Sequence, residues 1–285
     1  MYHIGKFEES KFAVPYGYEQ RSEGYECFPL VNHSAGSVHM GVGICRLQPN
    51  GSVASSVHAN EKGIYVLEGE VEIKRGGEVY RLSADDYALF PYGVPQAYRN
   101  TSRKVARWFE MEAPQPKPPG GWQDTFFVGG ADWPQEVRPP SLEDPRTKLL
   151  GHFKEQRPQF PYGAAIQGLK VFFFMDREFG TQHFLMMRGE LAVGGVCGLH
   201  DHPIEESYFV LSGEADMDIE GKRFHLQPGV VAWTGVGTSH AFFQKGNVPF
   251  RWIETQAPQF PTQNGFRNYA SWDKLRSLGK DSFNP

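Results

Sequence analysis

Residues 194–213 read Gly194-Gly-Val-Cys-Gly-Leu-His200-Asp-His202-Pro-Ile-Glu-Glu206-Ser-Tyr208-Phe-Val-Leu-Ser-Gly213. Two histidines stand two apart, a glutamate follows four later, and glycines bracket the run. The meaning of this block emerges when the chain is slid against itself by 144 residues. Two halves then align without a gap from Gly36 to Gln115. Gly36-Ser-Val-His39 falls on Gly180-Thr-Gln-His183, and Val66-Leu-Glu-Gly-Glu70 falls on Val210-Leu-Ser-Gly-Glu214. Arg107-Trp-Phe-Glu110 falls on Arg251-Trp-Ile-Glu254, and Ala113-Pro-Gln115 on Ala257-Pro-Gln259. Chance does not hold one register over eighty positions, so the chain carries two copies of one domain.

Each copy reads as short strands joined by turns. Val71-Glu-Ile-Lys74 and Ala215-Asp-Met-Asp-Ile219 alternate apolar with polar, as half-buried strands do. Gly76-Gly77 and Gly221 mark turns into further strands, Val79–Leu82 and Arg223–Leu226. With 32 Gly and 21 Pro in 285 residues and little helical periodicity, the chain favours a β sandwich or barrel over a helix bundle. Ten prolines fall between Pro114 and Pro161 and mark a connection, within which Trp122, Phe126, Phe127 and Trp133 still need packing partners. The expected organisation is one domain over 1–115, a connection over 116–165 and a second domain over 166–285. A short surface helix is expected over Ser271–Gly279, from an N-cap serine, apolar Trp272, Leu275 and Leu278, and a closing glycine.

A formal net charge of −4 leaves no basic footprint for nucleic acid or an anionic membrane. No apolar run approaches the ~20 residues that span a bilayer, and the charged opening MYHIGKFEES lacks the apolar core of a secretory signal. Cys27, Cys45 and Cys197 are odd in number and show no paired spacing, which argues against a disulfide framework. The expectation is a soluble, cytoplasmic protein whose partner is a small-molecule substrate, with no nucleic acid and no membrane.

A duplicated domain separates fold from chemistry. Residues kept in both copies serve the fold; His39/His183, Arg107/Arg251, Trp108/Trp252 and Glu110/Glu254 are assigned to packing and strand pairing. Residues kept in one copy are candidates for that copy's chemistry. Strand residues two apart share a face, so His200 and His202 can converge on one point. Glu206 can face back after a three-residue turn, and His240 arrives from a later strand placed by the glycine turn at 235–237. Three neutral imidazoles and a carboxylate suit one divalent transition metal and leave one or two coordination positions open. A zinc finger is excluded because paired cysteines are lacking.

The two blocks, Gly194-x5-His200-x-His202-x3-Glu206-x6-Gly213 and Gly229-x5-Gly235-x-Gly237-x2-His240-x3-Gln244, resemble the two signature motifs of the cupin superfamily, and the repeat resembles a bicupin. The likeness covers residues 36–115 and 180–259. The first motif matches at every fixed position. The second departs at Gly235 and Gln244, where cupins carry Pro and Asn; the first copy keeps both, as Pro91 and Asn100. The resemblance implies an all-β chain of two tandem jelly-roll (double-stranded β-helix) barrels with a few short helices. It also implies ligation of one metal (Fe, Mn, Ni, Cu or Zn) by His200, His202, Glu206 and His240. At those four positions the first copy reads Ser56, His58, Lys62 and Gln96. A lysine in the carboxylate's place repels a metal ion, so the first barrel is expected to be metal-free, with a small anion held by Lys62 as the alternative.

Strand parity places Tyr208 and Val210 with Glu206, and Phe242 and Gln244 with His240, which gives an aromatic pocket with Tyr208 and Gln244 as its polar handles. Trp233 is expected at the rim and Glu205 on the turn surface; Cys197 is out of phase with His200. Three functions fit. The first is a cupin dioxygenase-type oxidoreductase holding a bidentate, enolate-like substrate, with Tyr208 or Gln244 positioning it. The second is a Mn-dependent aminohydrolase or an isomerase. The layout is similar to that of the ureidoglycine aminohydrolase family, whose ligand set Glu-x-His-x3-His plus Gln differs from this one at three of four positions. The third is a non-catalytic metal-binding bicupin. Two barrels in one chain reproduce the pairing that single cupins achieve as dimers, so any state from monomer upward, a homodimer included, is consistent with the sequence.

Overall fold

The computed structural model describes residues 1–118, 120, 123–143, 149–160, 165–259 and the backbone of 267–268. Trp122 and the helix expected over 271–279 lie outside the described residues. The remainder is built almost wholly of strands. The first is β1 (Tyr2–Lys6). There follow β2 (Ser22–Val31), β3 (Gly41–His58), β4 (Glu61–Glu68), β5 (Glu70–Arg75), β6 (Glu78–Ser83), β7 (Asp86–Phe90), β8 (Gln96–Arg99) and β9 (Ala106–Ala113). Three short strands come next, β10 (Thr125–Gly129), β11 (Val137–Arg138) and β12 (Leu150–His152). The second copy contributes β13 (Ile166–Met175), β14 (Leu185–Asp201), β15 (Glu205–Ser212), β16 (Glu214–Ile219), β17 (Lys222–Leu226), β18 (Val230–Thr234), β19 (His240–Lys245), β20 (Phe250–Ala257) and β21 (Arg267–Asn268). Among the described residues helix is confined to single 3-10 turns at Glu9–Lys11, His33–Ala35 and Phe153–Glu155.

The strands form two curled sheets. One runs β11-β6-β5-β8-β3-β9-β4-β7-β12, with β2 and β10 also paired to β3. The other runs β1-β18-β15-β20-β14-β19-β16-β17, with β13 and β21 also on β14. Compact units follow the sheets: residues 8–156 with 174–183, and residues 1–7 with 157–173 and 184–285. Two assignments therefore differ from the expected organisation. Residues 2–6, expected with the N-terminal barrel, lie antiparallel to β18 of the C-terminal one. The segment expected as a connection supplies β10, β11 and β12, which pair with β3, β6 and β7. Open sheet edges carry unmet backbone donors and acceptors, and extended segments satisfy them wherever chain length permits.

The cores repeat with the sequence. Trp108 stacks on Tyr98 at 5.6 Å and Trp252 on Phe242 at 5.8 Å, equivalent positions in the two copies. Both indoles are buried, and each Nε1–H donates to a glutamate two residues on, Glu110 or Glu254, at 2.9 Å. Gly189 admits the second indole, since a Cβ there would lie 2.1 Å from the Trp252 ring. Other shared residues are not core: His39 and His183 are only half-buried. In the former connection, Phe127 packs on the first core while Phe126 is exposed.

The cysteine expectation is overturned. Cys27 and Cys45 stand opposite each other across β2 and β3 and form a disulfide; Cys197 is free and buried. Spacing along the chain could not disclose this pair, because strand register brings the two together. No helix of the described residues is long and apolar enough to cross a membrane.

Candidate metal centre

Three strands and one turn deliver the polar cluster of the C-terminal barrel. His200 lies near the end of β14, directly across from His240 at the start of β19. His202 follows one residue past β14, and its carbonyl accepts the Gly237 N–H at 2.8 Å. Gly237 has φ +72°, a left-handed conformation that glycine adopts without strain, so this turn ties the His202 carbonyl to the loop that launches His240. Its equivalent, Gly93, holds the His58 carbonyl at the same 2.8 Å. β15 brings Glu206 and Tyr208 to the same inner face. Across the sheet, Glu206 lies between Thr234 of β18 and Gln256 of β20.

The ligand atoms of His200, His202 and His240 all lie within 4.8 Å of one another, and all three rings are buried. The Nδ1 of His200 is 2.6 Å from the Gly198 carbonyl and that of His240 is 2.9 Å from the Thr238 carbonyl. A carbonyl only accepts, so Nδ1 carries the proton in both and Nε2 keeps its lone pair. Burial, reinforced by neighbouring imidazoles, pushes His200 down to about 3 and His240 well below its ordinary value. Both rings are thus neutral at physiological pH, the form that ligates a metal.

The Glu206 carboxylate is 3.4 Å from Nε2 of His202 through one oxygen and 3.4 Å from Nε2 of His240 through the other. The Tyr208 hydroxyl bridges that second oxygen at 2.8 Å and His240 Nε2 at 2.9 Å. Gln256 Nε2 donates to Glu206 at 3.0 Å and to Glu254 at 2.6 Å. Burial pushes Glu206 up to about 8; burial and the charge of Glu206 push Glu254 up to about 7. Among the described residues neither carboxylate pairs with a lysine or arginine. Two buried carboxylates beside the neutral imidazoles of His200 and His240 therefore lack a lysine or arginine partner, and with His202 this donor set fits a divalent metal that would supply positive charge.

The first barrel meets the same demand differently. Lys62, at the position of Glu206, is buried and lies 2.9 Å from Glu110 and 3.2 Å from Glu112, the counterparts of Glu254 and Gln256. Its charge is therefore already balanced, which removes the basis for holding a small anion there. His58 contacts the Ser56 and Thr125 hydroxyls at 3.0 and 3.1 Å, and burial together with Lys62 pushes it down to about 2. Gln96 accepts from the Tyr98 hydroxyl at 2.7 Å.

Of the six residues singled out in sequence, five gather here: His200, His202, Glu206, His240 and Tyr208. Gln244 does not. It lies four residues along β19 from His240, roughly 13 Å at strand rise. Its Oε1 accepts from Gly194 N–H at 2.8 Å and its Nε2 donates to the Val248 carbonyl at 2.8 Å, so the side chain fastens the left-handed Gly194 of β14 to the turn before β20. Glu205, expected on the turn surface, is buried, and so is Trp233, expected at the rim. Gln256, Glu254 and Thr234 escaped the sequence reading. Comparison of the copies could have found Gln256 and Thr234, which replace Glu112 and Phe90; Glu254 was masked because its counterpart is also glutamate.

The model of the cupin domain matches residues 43–112 and 187–255, one in each barrel. The chain belongs to the cupin superfamily, as a bicupin. Solved structures similar to this bicupin include an oxalate decarboxylase of Bacillus subtilis, with TM-score 0.69 and 15% identity over 98% of this chain and 85% of that one. An oxalate decarboxylase of Lactobacillus farciminis in a formate complex gives TM-score 0.69 and 15% identity over 98% and 91%. A putative glyoxylate-induced protein of Pseudomonas aeruginosa gives TM-score 0.69 and 16% identity over 92% and 90%. These likenesses concern the fold. Among curated proteins, the polyketide synthase CurC of Streptomyces cyaneus is 33% identical over 86 residues, 30% of this chain, and the match spans 56% of that relative.

Proposed function

We propose that this bicupin is a metal-dependent enzyme acting on a small, enolisable oxygen compound, as a dioxygenase-type oxidoreductase with its active site in the C-terminal barrel. The observation that carries the reading is the convergence of His200, His202 and His240 on one point beside the Glu206 carboxylate. These four residues would hold one divalent ion, of Fe, Mn, Ni, Cu or Zn. When bound, the metal would polarise substrate oxygens and leave coordination positions for a bidentate ligand.

The protein's own groups supply the rest. Gly198 and Thr238 carbonyls fix two imidazoles in the tautomer that presents Nε2 inward. Gln256 holds Glu206 from one side and Tyr208 from the other, which limits how the carboxylate can turn. The Tyr208 hydroxyl, whose one proton goes to Glu206, keeps oxygen lone pairs with which it could position a substrate hydroxyl. Phe242, 4.9 Å from Tyr208, and Trp252 beneath it form an apolar floor that excludes water from the reacting face.

Metal analysis of the purified protein, followed by oxygen-electrode assays on a panel of enolisable compounds, tests this reading. Substrate consumption coupled to oxygen uptake supports it; turnover without oxygen uptake sinks the oxygenase assignment. The latter outcome would favour a second reading, a redox-neutral lyase, hydrolase or isomerase. The buried Tyr208 hydroxyl beside the centre supports that alternative, since a phenol that is not itself a ligand could pass a proton to or from a bound substrate. The partial likeness to a polyketide synthase is compatible with both, polyketides being enolisable.

A further inference from the structure

The first sheet ends in β11 on one side and β12 on the other, and both end strands line a pocket of about 470 Å3 together with β6 and β7. Its polar lining among the described residues is Arg81, Ser83, Asp86, Arg138, His152 and Lys154. Pro139 and Pro140 line it too, and the proline after Arg138 keeps that residue extended. The second copy carries a different set. At the positions of Arg81, Ser83 and Asp86 it has His225, Gln227 and Val230. There β1 pairs with β18 as β12 pairs with β7, and Lys6 stands opposite Val230 where His152 stands opposite Asp86. Among the described residues no strand lies beside β17 as β11 lies beside β6. The pocket is thus specific to one copy, as the histidine cluster is to the other.

The lining holds three permanent cations, Arg81, Arg138 and Lys154, against one carboxylate, Asp86. Asp86 is buried and engaged: Ser83 N–H donates to its Oδ2 at 2.7 Å, and Nδ1 of His152 meets its Oδ1. Arg81 spends Nε and Nη2 on Glu72, a carboxylate that Arg99 also holds. Arg138 spends Nε on Glu136 and Nη1 on Glu78. None of these glutamates lines the pocket. The two partners of Arg138 are exposed, and such pairs are worth only about 0–1 kcal/mol. A guanidinium has five N–H donors, so each arginine keeps further donors. Lys154 is exposed and has no acidic partner among the described residues. An excess of donors and positive charge around a concave site suits an anion. Two forked guanidiniums and an ammonium match the tetrahedral oxygens and double charge of a phosphate monoester better than a flat, singly charged carboxylate. The volume is that of a small-molecule site and leaves room for an organic group beyond the phosphate.

We propose that this pocket is a second ligand site, which binds a small phosphate monoester through Arg81, Arg138 and Lys154. The Asp86–His152 pair braces β12 against β7 and so holds the wall from which Lys154 projects. The site needs no metal and stands whether or not the C-terminal barrel binds one.

The test titrates the full chain calorimetrically with phenyl phosphate and with benzoate. Phenyl phosphate is expected to bind at least about tenfold more tightly than benzoate, and Arg138→Gln and Lys154→Gln each to weaken it by about fivefold or more. His240→Ala, which removes a histidine of the other barrel's cluster, is expected to leave phenyl phosphate binding unchanged. No binding by the wild type at about 10 mM phenyl phosphate overturns the proposal, as does benzoate bound equally well. Binding that neither Gln substitution weakens also overturns it, and binding that His240→Ala abolishes assigns the anion to the metal centre instead. Lys154 is exposed, so Lys154→Gln keeps the proposal testable should Arg138→Gln fail to fold.

Discussion

His240 is the most enclosed of the three clustered imidazoles, fully buried, hydrogen-bonded through Nδ1 and in contact with Tyr208 through Nε2. Replacing it with Ala should lower metal retention to below about a tenth of an ion per chain, since three donors in a site built for four hold a metal far more weakly. His58→Ala in the first barrel should leave metal content unchanged; elemental analysis of both variants decides the matter. A different residue governs acid stability. Burial alone would raise the Glu72 carboxyl, but Arg81 at 2.6 Å and Arg99 at 2.7 Å outweigh it and hold it below its ordinary value. A carboxyl depressed in the folded state contributes stability above its unfolded pKa and loses it as pH falls through the folded value. Glu72→Gln should therefore cost about 2 kcal/mol in urea denaturation at pH 7. The difference from wild type should shrink as pH drops below the ordinary glutamate range.

At the scale of elements, the turn between β18 and β19 shows what the sequence can and cannot disclose. Spacing alone located the glycines at 235–237 and the histidine after them, because a turn needing φ > 0 leaves a residue signature. The hairpins, the alternating strands and the doubled core tryptophan were legible for the same reason: each depends on local pattern. The Gln244 amide was not. Parity assigned it to the inner face, but distance along the strand, which parity ignores, put it beside Gly194 and away from the histidines. The partners of Glu206 were hidden too, since Gln256 reaches it through register between β15 and β20, fifty positions apart. Gly237→Ala should strain the turn by about 1 kcal/mol and, by shifting the N–H that holds the His202 carbonyl, weaken metal affinity more than stability. Competition with a metal chelator, run beside thermal denaturation, separates the two effects.

For the whole molecule, the repeat fixed the number of barrels, yet the sequence could not say which barrel each outlying segment completes. Strand pairing is decided by which edge is open and within reach, not by proximity along the chain. Thus Tyr2–Lys6 pairs residue for residue with Thr234–Val230 of β18, and Tyr2 and Ile4 pack on the C-terminal core. Tyr2 also meets Phe224 at 5.3 Å. The opposite face of this arrangement is functional, because β18 bears Thr234 beside Glu206 and leads through Gly237 to His240. Removal of residues 2–7 would leave the backbone groups along one side of β18 without strand partners and bare part of the second core. The expected result is a fall in the melting temperature of the C-terminal barrel and in metal retention. The N-terminal barrel, whose Cys27–Cys45 bridge and Lys62–Glu110 pair are untouched, should keep its stability. Hydrogen exchange read separately on peptides from β4 and β15 would locate the loss; loss of protection confined to β4 would show that β1 serves the first barrel after all.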